Sequence, residues 1–218
     1  MFTKYGYSTL ISITILSFLI IALSLFIKED WLKYIIIAAA AGFLIFTLFF
    51  FRDPDRNTPQ QDNVFISPAD GKVLLIKDVV SDKFVEGEAT QLSIFMSPFD
   101  VHVNRIPISG TVKYLNYVKG KFLTAYNDKA DKENERNEIG IETKFGNVFF
   151  TQVAGIFARR IISDLKSGES VKVGNRFGMI KFGSRSDIIV PKKWAAQVKV
   201  GEHVYGGETI LFKINENE

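Results

Sequence analysis

The pair Gly183-Ser184 is the first place in this chain where residue types and spacing could do chemistry. It lies between two apolar stretches, one with Met179, Ile180 and Phe182 and the other from Ile188 to Val190. Glycine followed by serine is typical of turns. The same pair also sets a nucleophile beside a carbonyl that glycine leaves open to close approach. Taken alone, the pair predicts a turn, and a peptide bond built to be broken is the alternative.

Two histidines limit any imidazole chemistry to His102 and His203. His102 lies in an extended segment, where it shares one face with Asn104. Val101 and Val103 share the other face. A single histidine on a strand is more often packed or exposed than catalytic. A histidine base in this chain nevertheless has to be one of these two residues.

A weak internal repeat gives His203 a structural interpretation. The segments Gly168–Gly174 and Gly201–Gly207 share the pattern G-E-x-V-x-x-G, and an apolar strand is expected after each. His203 occupies the position that Ser170 holds in the first copy. The repeat therefore predicts that His203 is a surface strand residue.

Asp70 and the neighbouring pair Arg159 and Arg160 are further candidates for functional residues. Asp70 belongs to Ser67-Pro-Ala-Asp-Gly71, which reads as a tight turn between two β-rich runs or as the carrier of a working carboxylate. Arg159 and Arg160 are placed to meet an anion, although paired arginines are usually solvated.

The composition narrows the protein class. The chain has 218 residues, a net charge of +3 and 47% hydrophobic residues, which is typical of neither a disordered nor a strongly nucleic-acid-binding protein. It has no cysteine, so disulfide scaffolds, thiolate zinc sites and cysteine nucleophiles are excluded.

Two uncharged runs near the N-terminus predict a transmembrane helical hairpin over residues 1–51. Ser8–Ile27 supplies 20 residues and Tyr34–Phe51 supplies 18, each close to the length that crosses a bilayer. Trp31 lies in the connector, where interfacial aromatic residues belong. A cleaved signal peptide is the alternative for the first run. The distribution of lysine and arginine favours a cytoplasmic location for both ends.

The remaining chain predicts a linker over residues 52–63 and a mainly β soluble domain over residues 64–218, with few short helices. Its turn-and-strand units look like those of lipoyl/biotinyl-like β-sandwich domains. A hairpin is expected around Phe145–Asn147. The charge run Asp128–Asn137 predicts a solvated loop.

Five ordered motifs carry a resemblance to a known family. They are Phe50-Phe-Arg-Asp-Pro54, Ser67-Pro-Ala-Asp-Gly71, Met96-Ser-Pro-Phe-Asp-Val-His-Val-Asn-Arg-Ile-Pro107, Asn134-Glu-Arg-Asn137 and Phe182-Gly-Ser-Arg185. Together they resemble the phosphatidylserine decarboxylase family, in its short membrane-anchored bacterial form.

The resemblance implies that the cofactor is made from the chain itself. The hydroxyl of Ser184 attacks the carbonyl of Gly183, and an N-to-O acyl shift gives an ester. β-Elimination then gives dehydroalanine, and its hydrolysis with loss of ammonia leaves a pyruvoyl group. The products are a β chain, 1–183, and an α chain, 184–218. The pyruvoyl ketone condenses with the substrate amine as a Schiff base and accepts electrons as the carboxylate leaves. Neither pyridoxal phosphate nor a metal is expected.

The resemblance also implies roles for single residues. Asp70 would orient His102, the candidate processing base and proton donor in decarboxylation, which either does both jobs or shares them with another group. Many members carry a second histidine where this chain has Arg105, which cannot act as a base. Residue type alone suggests a set of substrate-binding candidates. For the lipid phosphate these are Arg105, Arg159 and Arg160, and for an apolar pocket Phe95, Met96 and Phe99.

Phosphatidylserine in a bacterial inner membrane is the expected substrate, with the catalytic domain in the cytoplasm. The two chains are expected to stay associated, a homodimer is left open and no nucleic-acid partner is expected. One alternative is a related seryl lipid, such as an archaetidylserine-type lipid, because the head group reacts in the same way. Another is a membrane-tethered, non-catalytic lipoyl-like adaptor.

Overall fold

The computed structural model describes residues 1–124, 133–155, 160–181 and 184–214. The chain divides into two compact units, Met1–Asp55 and Arg56–Glu218. The first is helical and is called the helical hairpin below. The second is built of strands and is called the β domain. Gly183 and Arg159, both candidate site residues, lie outside the described residues.

The helical hairpin consists of α1 (Tyr7–Ser24) and α2 (Asp30–Phe50), preceded by a 3-10 turn at Lys4–Gly6. Both helices are long and apolar enough to cross a membrane. Large apolar side chains such as Phe18 and Ile45 are exposed rather than buried. Such surfaces suit lipid better than water, because exposed apolar area is costly in water. The predicted pair of apolar helices is confirmed, and its character indicates membrane association.

The two ends of the hairpin are hydrogen-bonded to each other. The amide of Thr3 donates to the carbonyl of Phe51 at 3.0 Å, and the amide of Asp53 donates to the carbonyl of Met1 at 2.7 Å. The start of the chain and the exit from α2 therefore lie at the same end of the hairpin.

The β domain contains short and long strands in its described residues. They are β1 (Val64–Ile66), β2 (Gly71–Ser81), β3 (Gly87–Met96), β4 (Val103–Arg105), β5 (Gly110–Val118), β6 (Arg136–Thr143), β7 (Gly146–Ala154), β8 (Arg160–Ser163), β9 (Ser170–Val171), β10 (Arg176–Lys181), β11 (Ser184–Pro191), β12 (Trp194–Ala196), β13 (His203–Val204) and β14 (Ile210–Ile214).

Within the described residues these strands form three antiparallel sheets. The largest has the order β13-β2-β3-β11-β7-β6-β5-β9, and the two small sheets have the orders β1-β14-β12 and β4-β10-β8. The main core packs side chains from several strands, among them Leu92, Phe150, Ile188 and Phe212, each fully buried. The mainly β prediction is confirmed, as is the hairpin between β6 and β7.

The internal repeat folds twice in the same way. In each copy the glutamate carboxylate accepts the amide of a lysine three residues earlier at 3.0 Å, Lys166 to Glu169 and Lys199 to Glu202. The glycines that begin and end both copies all have positive φ, between 81° and 91°. A side chain is strained in that region, which explains the glycines. The two copies supply β9 and β13, the opposite edges of the large sheet.

The solvated-loop prediction for Asp128–Asn137 is wrong at its C-terminal end, and residues 125–132 lie outside the described residues. β6 already begins at Arg136. Asn134 is fully buried, and its amide donates to the carbonyls of Leu123 at 2.9 Å and Ala154 at 2.8 Å. Polar side chains tolerate burial when they are hydrogen-bonded in this way.

Glu138 is the centre of a buried charge network on β6. Only 1% of the residue is exposed, and its carboxylate accepts hydrogen bonds from Lys83 at 2.6 Å and Arg136 at 2.8 Å. Tyr114 and Asn116 also donate to it, each at 3.1 Å. Burial alone raises the pKa of Glu138, but the hydrogen bonds outweigh it and lower the pKa to about 2.

Candidate active site

Ser184 is the first residue of β11 and lies in the middle of the large sheet. Its Cα is paired with those of Met96 on β3 and Ala154 on β7. The residue is fully buried, and its hydroxyl donates to the Met96 sulfur at 3.1 Å. A thioether is a weak acceptor, so this hydroxyl is held loosely in apolar surroundings.

A small apolar cluster surrounds this position. Ala69, Met96, Ala154 and Ile180 pack together and are almost completely buried, and the half-buried Ile161 packs against them. We call these residues the Ser184 cluster. It is formed by the turn before β2 and by the ends of β3, β7 and β10.

His102 is fully buried immediately before β4. Its Nδ1 lies 2.9 Å from the carbonyl oxygen of Asp100. A carbonyl only accepts hydrogen bonds, so Nδ1 carries the proton and the neutral ring keeps its lone pair at Nε2. The geometry thus presents Nε2 as the basic atom of the ring.

Strand register relates His102 to one member of the Ser184 cluster. Met179 of β10 is opposite Val103 of β4, and the amide of Ile180 donates to the carbonyl of His102 at 3.3 Å. Opposite residues of an antiparallel pair place their side chains on the same face. His102 therefore shares a face with Ile180, a member of the Ser184 cluster.

Asp70 is buried in the turn before β2, with 5% of the residue exposed. Its Oδ2 accepts a hydrogen bond from Arg56 at 2.7 Å, and its Oδ1 accepts one from the amide of Gly206 at 2.7 Å. Burial raises the pKa of Asp70, whereas Arg56 and the Gly206 amide oppose that rise. Among the described residues, Asp70 is held by these two groups and makes no hydrogen bond to His102. Its role as orienter of the imidazole stays a prediction.

The arginine candidates occupy different places. Arg105 is 5% exposed on β4, and its Nη1 donates to the carbonyl of Gly174 at 3.2 Å. Arg160 is exposed at the start of β8, where its Cα is opposite Lys181. Arg159 lies outside the described residues.

The three apolar candidates do not form one cluster. Phe95 and Met96 are neighbours on β3, so their side chains point to opposite faces of the strand. Phe99 is 68% exposed. Of the three, Met96 alone belongs to the Ser184 cluster as described above.

Comparisons with known proteins identify the family of the chain. The family profile described as phosphatidylserine decarboxylase matches residues 43–212. The chain belongs to the phosphatidylserine decarboxylase family. A protein named phosphatidylserine decarboxylase proenzyme from Chlorobium phaeobacteroides is 48% identical over 96% of this chain and 98% of its own length. Proteins of the same name from Chlorobium limicola and Chlorobaculum parvum are 47% and 53% identical, over 97% and 78% of this chain and 99% and 78% of their own lengths.

Membership of the phosphatidylserine decarboxylase family confirms the resemblance seen in the five motifs. It does not account for all of the charged groups near Asp70. Arg56 lies in the segment predicted to be a linker, yet it joins Asp70 to Glu208, whose carboxylate it meets at 3.1 Å. No local pattern marks Arg56, because its partners lie 14 and 152 positions away in sequence.

His203 was the second feature whose surroundings the sequence did not reveal. It lies on the edge strand β13 with 46% of its side chain exposed, as expected for a surface strand residue. Its Nε2 is also 3.0 Å from Oδ1 of Asp100, the residue whose carbonyl holds His102. That the chain has two histidines was the one sequence signal that pointed to His203, and it did not identify Asp100 as the partner.

Proposed function

We propose that this chain is the precursor of a pyruvoyl-dependent phosphatidylserine decarboxylase that cleaves itself between Gly183 and Ser184. The observation that carries the proposal is the similarity, along nearly the whole chain, to proteins named phosphatidylserine decarboxylase proenzyme. The reaction removes the carboxylate of the serine head group as carbon dioxide and gives phosphatidylethanolamine. A related seryl lipid would undergo the same head-group chemistry.

The buried serine and the imidazole supply the groups for self-cleavage. His102 Nε2 takes the proton of the Ser184 hydroxyl, because Nδ1 is already engaged by Asp100. The oxygen then bonds to the Gly183 carbonyl carbon, and the peptide C–N bond breaks. The proton passes to the released amine, so the acyl group has moved from nitrogen to oxygen without a change in net charge. β-Elimination then breaks the ester C–O bond, which releases the Gly183 carboxylate and leaves dehydroalanine at position 184. One water hydrolyses its imine tautomer, and ammonia leaves.

The surroundings of Ser184 fit a pyruvoyl group better than a free N-terminus. Simple hydrolysis would leave an ammonium group at a fully buried position whose neighbours are Met96 and Ala154. An uncompensated charge there is costly, whereas a ketone is uncharged. In the processed enzyme this ketone supplies the electron sink for decarboxylation.

The chain's own residues support the decarboxylation step in two ways. The Ser184 cluster excludes water, and loss of a carboxylate is favoured where it is desolvated. His102 is the proton donor for the carbon that loses the carboxylate. Arg105, Arg159 and Arg160 are retained as candidates for contact with the lipid phosphate.

The fold keeps the two products of cleavage together. The α chain, 184–218, contains β11 and β14 among its strands. β11 is paired with β3 and β7, and β14 with β1, all on the β chain, 1–183. These ladders remain after one peptide bond is cut, so the enzyme consists of two associated chains.

The helical hairpin serves as the anchor to the bilayer that holds the substrate. It is covalently joined to the β domain, so a two-tailed lipid and the catalytic groups stay on one membrane. We assign the protein to the bacterial inner membrane with the β domain in the cytoplasm, because Lys4 and Arg52 lie at the end where the chain leaves the hairpin.

Two serines on the same strand provide the test. Full-length protein in membranes is supplied with phosphatidylserine labelled in its carboxylate, and both chain cleavage and labelled carbon dioxide are measured. Ser184→Ala should abolish cleavage and decarboxylation. Ser186→Ala is the matched control, since it removes another buried hydroxyl of β11, bonded to the carbonyl of Thr151 at 2.8 Å, and should retain both. Activity of Ser184→Ala would refute the mechanism, and an intact but inactive wild-type chain would favour a non-catalytic adaptor.

A further inference from the structure

We propose that His203 is a positioning residue for His102 and acts through Asp100. The inference rests on the proposed function, because it concerns how the base of that reaction is held. The motif position where many family members carry a second histidine is Arg105 here. The structure instead places a second imidazole, that of His203, beside Asp100, and this residue lies on the α side of the proposed cleavage point.

Asp100 connects the two histidines through different atoms. Its backbone carbonyl lies 2.9 Å from Nδ1 of His102, and its carboxylate Oδ1 lies 3.0 Å from Nε2 of His203. Since a carboxylate accepts hydrogen bonds, His203 donates from Nε2 in its neutral Nε2–H form and in its protonated form alike. One residue thereby receives a donor from each imidazole.

His203 is one of the groups that hold the loop carrying Asp100. The amide of Asp100 donates to the carbonyl of Ser97 at 3.0 Å, and the amide of Ser97 donates to Oδ2 of Asp100 at 2.7 Å. Both of these contacts are internal to the turn Ser97–Asp100. The contact with His203 ties the turn to another element, because β13 is paired with β2.

Several groups surround the His203 ring, and a substitution at this position changes its contacts with them. Asp100 faces it from the turn, and the ring of Tyr205 lies 5.0 Å away on the same segment. Lys72 of β2 is opposite His203 in the register. Asp100 is therefore the acceptor for a hydrogen-bond donor at position 203.

The expected consequence is a change in the placement of a base rather than in substrate binding. Without the donor at position 203, the turn Ser97–Asp100 can shift, and the carbonyl that sets the His102 tautomer shifts with it. A small displacement of a base from its reacting atom lowers the rate of proton transfer steeply. Self-cleavage and kcat should both fall, whereas KM should change little.

The test compares two leucine variants at equivalent positions of the internal repeat. His203→Leu removes the donor, and Ser170→Leu places the same side chain at the matching position on β9, the opposite edge of the sheet. His203→Gln is the conservative variant, because its amide nitrogen can donate from nearly the same place as Nε2. Full-length proteins in membranes are followed for self-cleavage and then for decarboxylation of phosphatidylserine in mixed vesicles.

We expect His203→Leu to slow self-cleavage and lower kcat by about tenfold, as for the loss of one hydrogen bond of about 1.4 kcal/mol. Ser170→Leu should match the wild type, and His203→Gln should restore most of the rate. In an Asp100→Ala background His203→Leu should add little, because the two residues act through one contact.

Three results would overturn the inference. These are equal rates for His203→Leu and Ser170→Leu, a loss in His203→Gln as large as that in His203→Leu, and a full additional loss in the Asp100→Ala background. His203→Ala replaces His203→Leu in these comparisons if the leucine variant folds poorly, because the additivity measurement needs every variant folded. A wild-type protein that is neither cleaved nor active would instead contradict the proposed function itself.

Discussion

Replacing Arg56 by methionine should destabilise the β domain strongly and in a pH-dependent way. Arg56→Met keeps most of the aliphatic stem but removes the guanidinium, which lies 2.7 Å from Oδ2 of Asp70 and 3.1 Å from Glu208. The side chains of Arg56 and Asp70 are only 10% and 7% exposed. Asp70 would keep the Gly206 amide as its partner and lose the compensating charge.

The size of the effect follows from burial. Removing one partner of a buried ion pair costs about 3–5 kcal/mol, and the lower end applies here because Asp70 retains one donor. Burial already raises the pKa of Asp70 and Arg56 opposes this rise, so the variant raises that pKa further. A carboxyl group whose pKa is raised in the folded state stabilises the fold at pH values below its ordinary pKa, about 4. This contribution is lost as the pH rises through the folded-state pKa. The deficit of Arg56→Met should therefore be largest near pH 7 and shrink as the pH falls through the raised pKa towards about 4, by about 1.4 kcal/mol for each unit of additional pKa rise.

Urea unfolding of the full-length protein in detergent measures this free energy. Ser184→Ala keeps the chain uncleaved, and Trp31→Phe leaves Trp194, which is 1% exposed in the β domain, as the sole tryptophan signal. Lys144→Met is the matched control. Its ion pair with Asp62 has the same 2.7 Å distance, but the two side chains are 62% and 79% exposed.

Loss of the exposed pair in Lys144→Met should lower the free energy of unfolding by about 0–1 kcal/mol. Equal losses in Arg56→Met and Lys144→Met, or a deficit in Arg56→Met that does not shrink in acid, would refute the reasoning.

Two further predictions concern Glu138 and Gly207. Because the pKa of Glu138 is lowered to about 2, its charge stabilises the fold above about pH 4.5, and this stability is lost as the pH falls towards 2. Glu138→Gln should cost roughly 3 kcal/mol near pH 7 in the same urea assay and almost nothing near pH 2; a loss independent of pH would contradict the charge network. Gly207→Ala should lower the stability of the fold more than Gly168→Ala. Both glycines have positive φ, 86° and 82°, so the backbone strain is similar. A Cβ at position 207 would lie 2.5 Å from Cδ of Arg105, whereas a Cβ at position 168 would have no atom within 4 Å. Equal losses in thermal unfolding would remove Arg105 from that account.

Local patterns in the sequence predicted much of the fold. Uncharged runs identified α1 and α2, and the glycine-bounded repeat identified two units that fold alike at opposite edges of the sheet. These features depend on neighbours in sequence, so spacing and residue type are enough to predict them. The charge run before β6 failed as a loop prediction because burial of Asn134 depends on distant carbonyl groups.

The site was predicted in part, and its missing partners are those furthest away in sequence. Ser184 and His102 stood out in motifs, and strand register places His102 on the same face as Ile180 of the Ser184 cluster. The contact between Arg56 and Glu208 joins residues 152 positions apart, and that between Asp100 and His203 joins residues 103 apart. Such contacts depend on the register of several strands at once, and no local pattern specifies it.

Intact-mass measurement of the purified full-length protein tests the central claim most directly. Self-cleavage at Gly183-Ser184 predicts two associated chains. One should have the mass of residues 1–183 with a free carboxylate. The other should have the mass of residues 184–218 less one ammonia, as a pyruvoyl group in place of an N-terminal serine requires. A single intact chain in an active preparation would contradict the account, as would a cut at another bond or an unmodified serine at the new N-terminus.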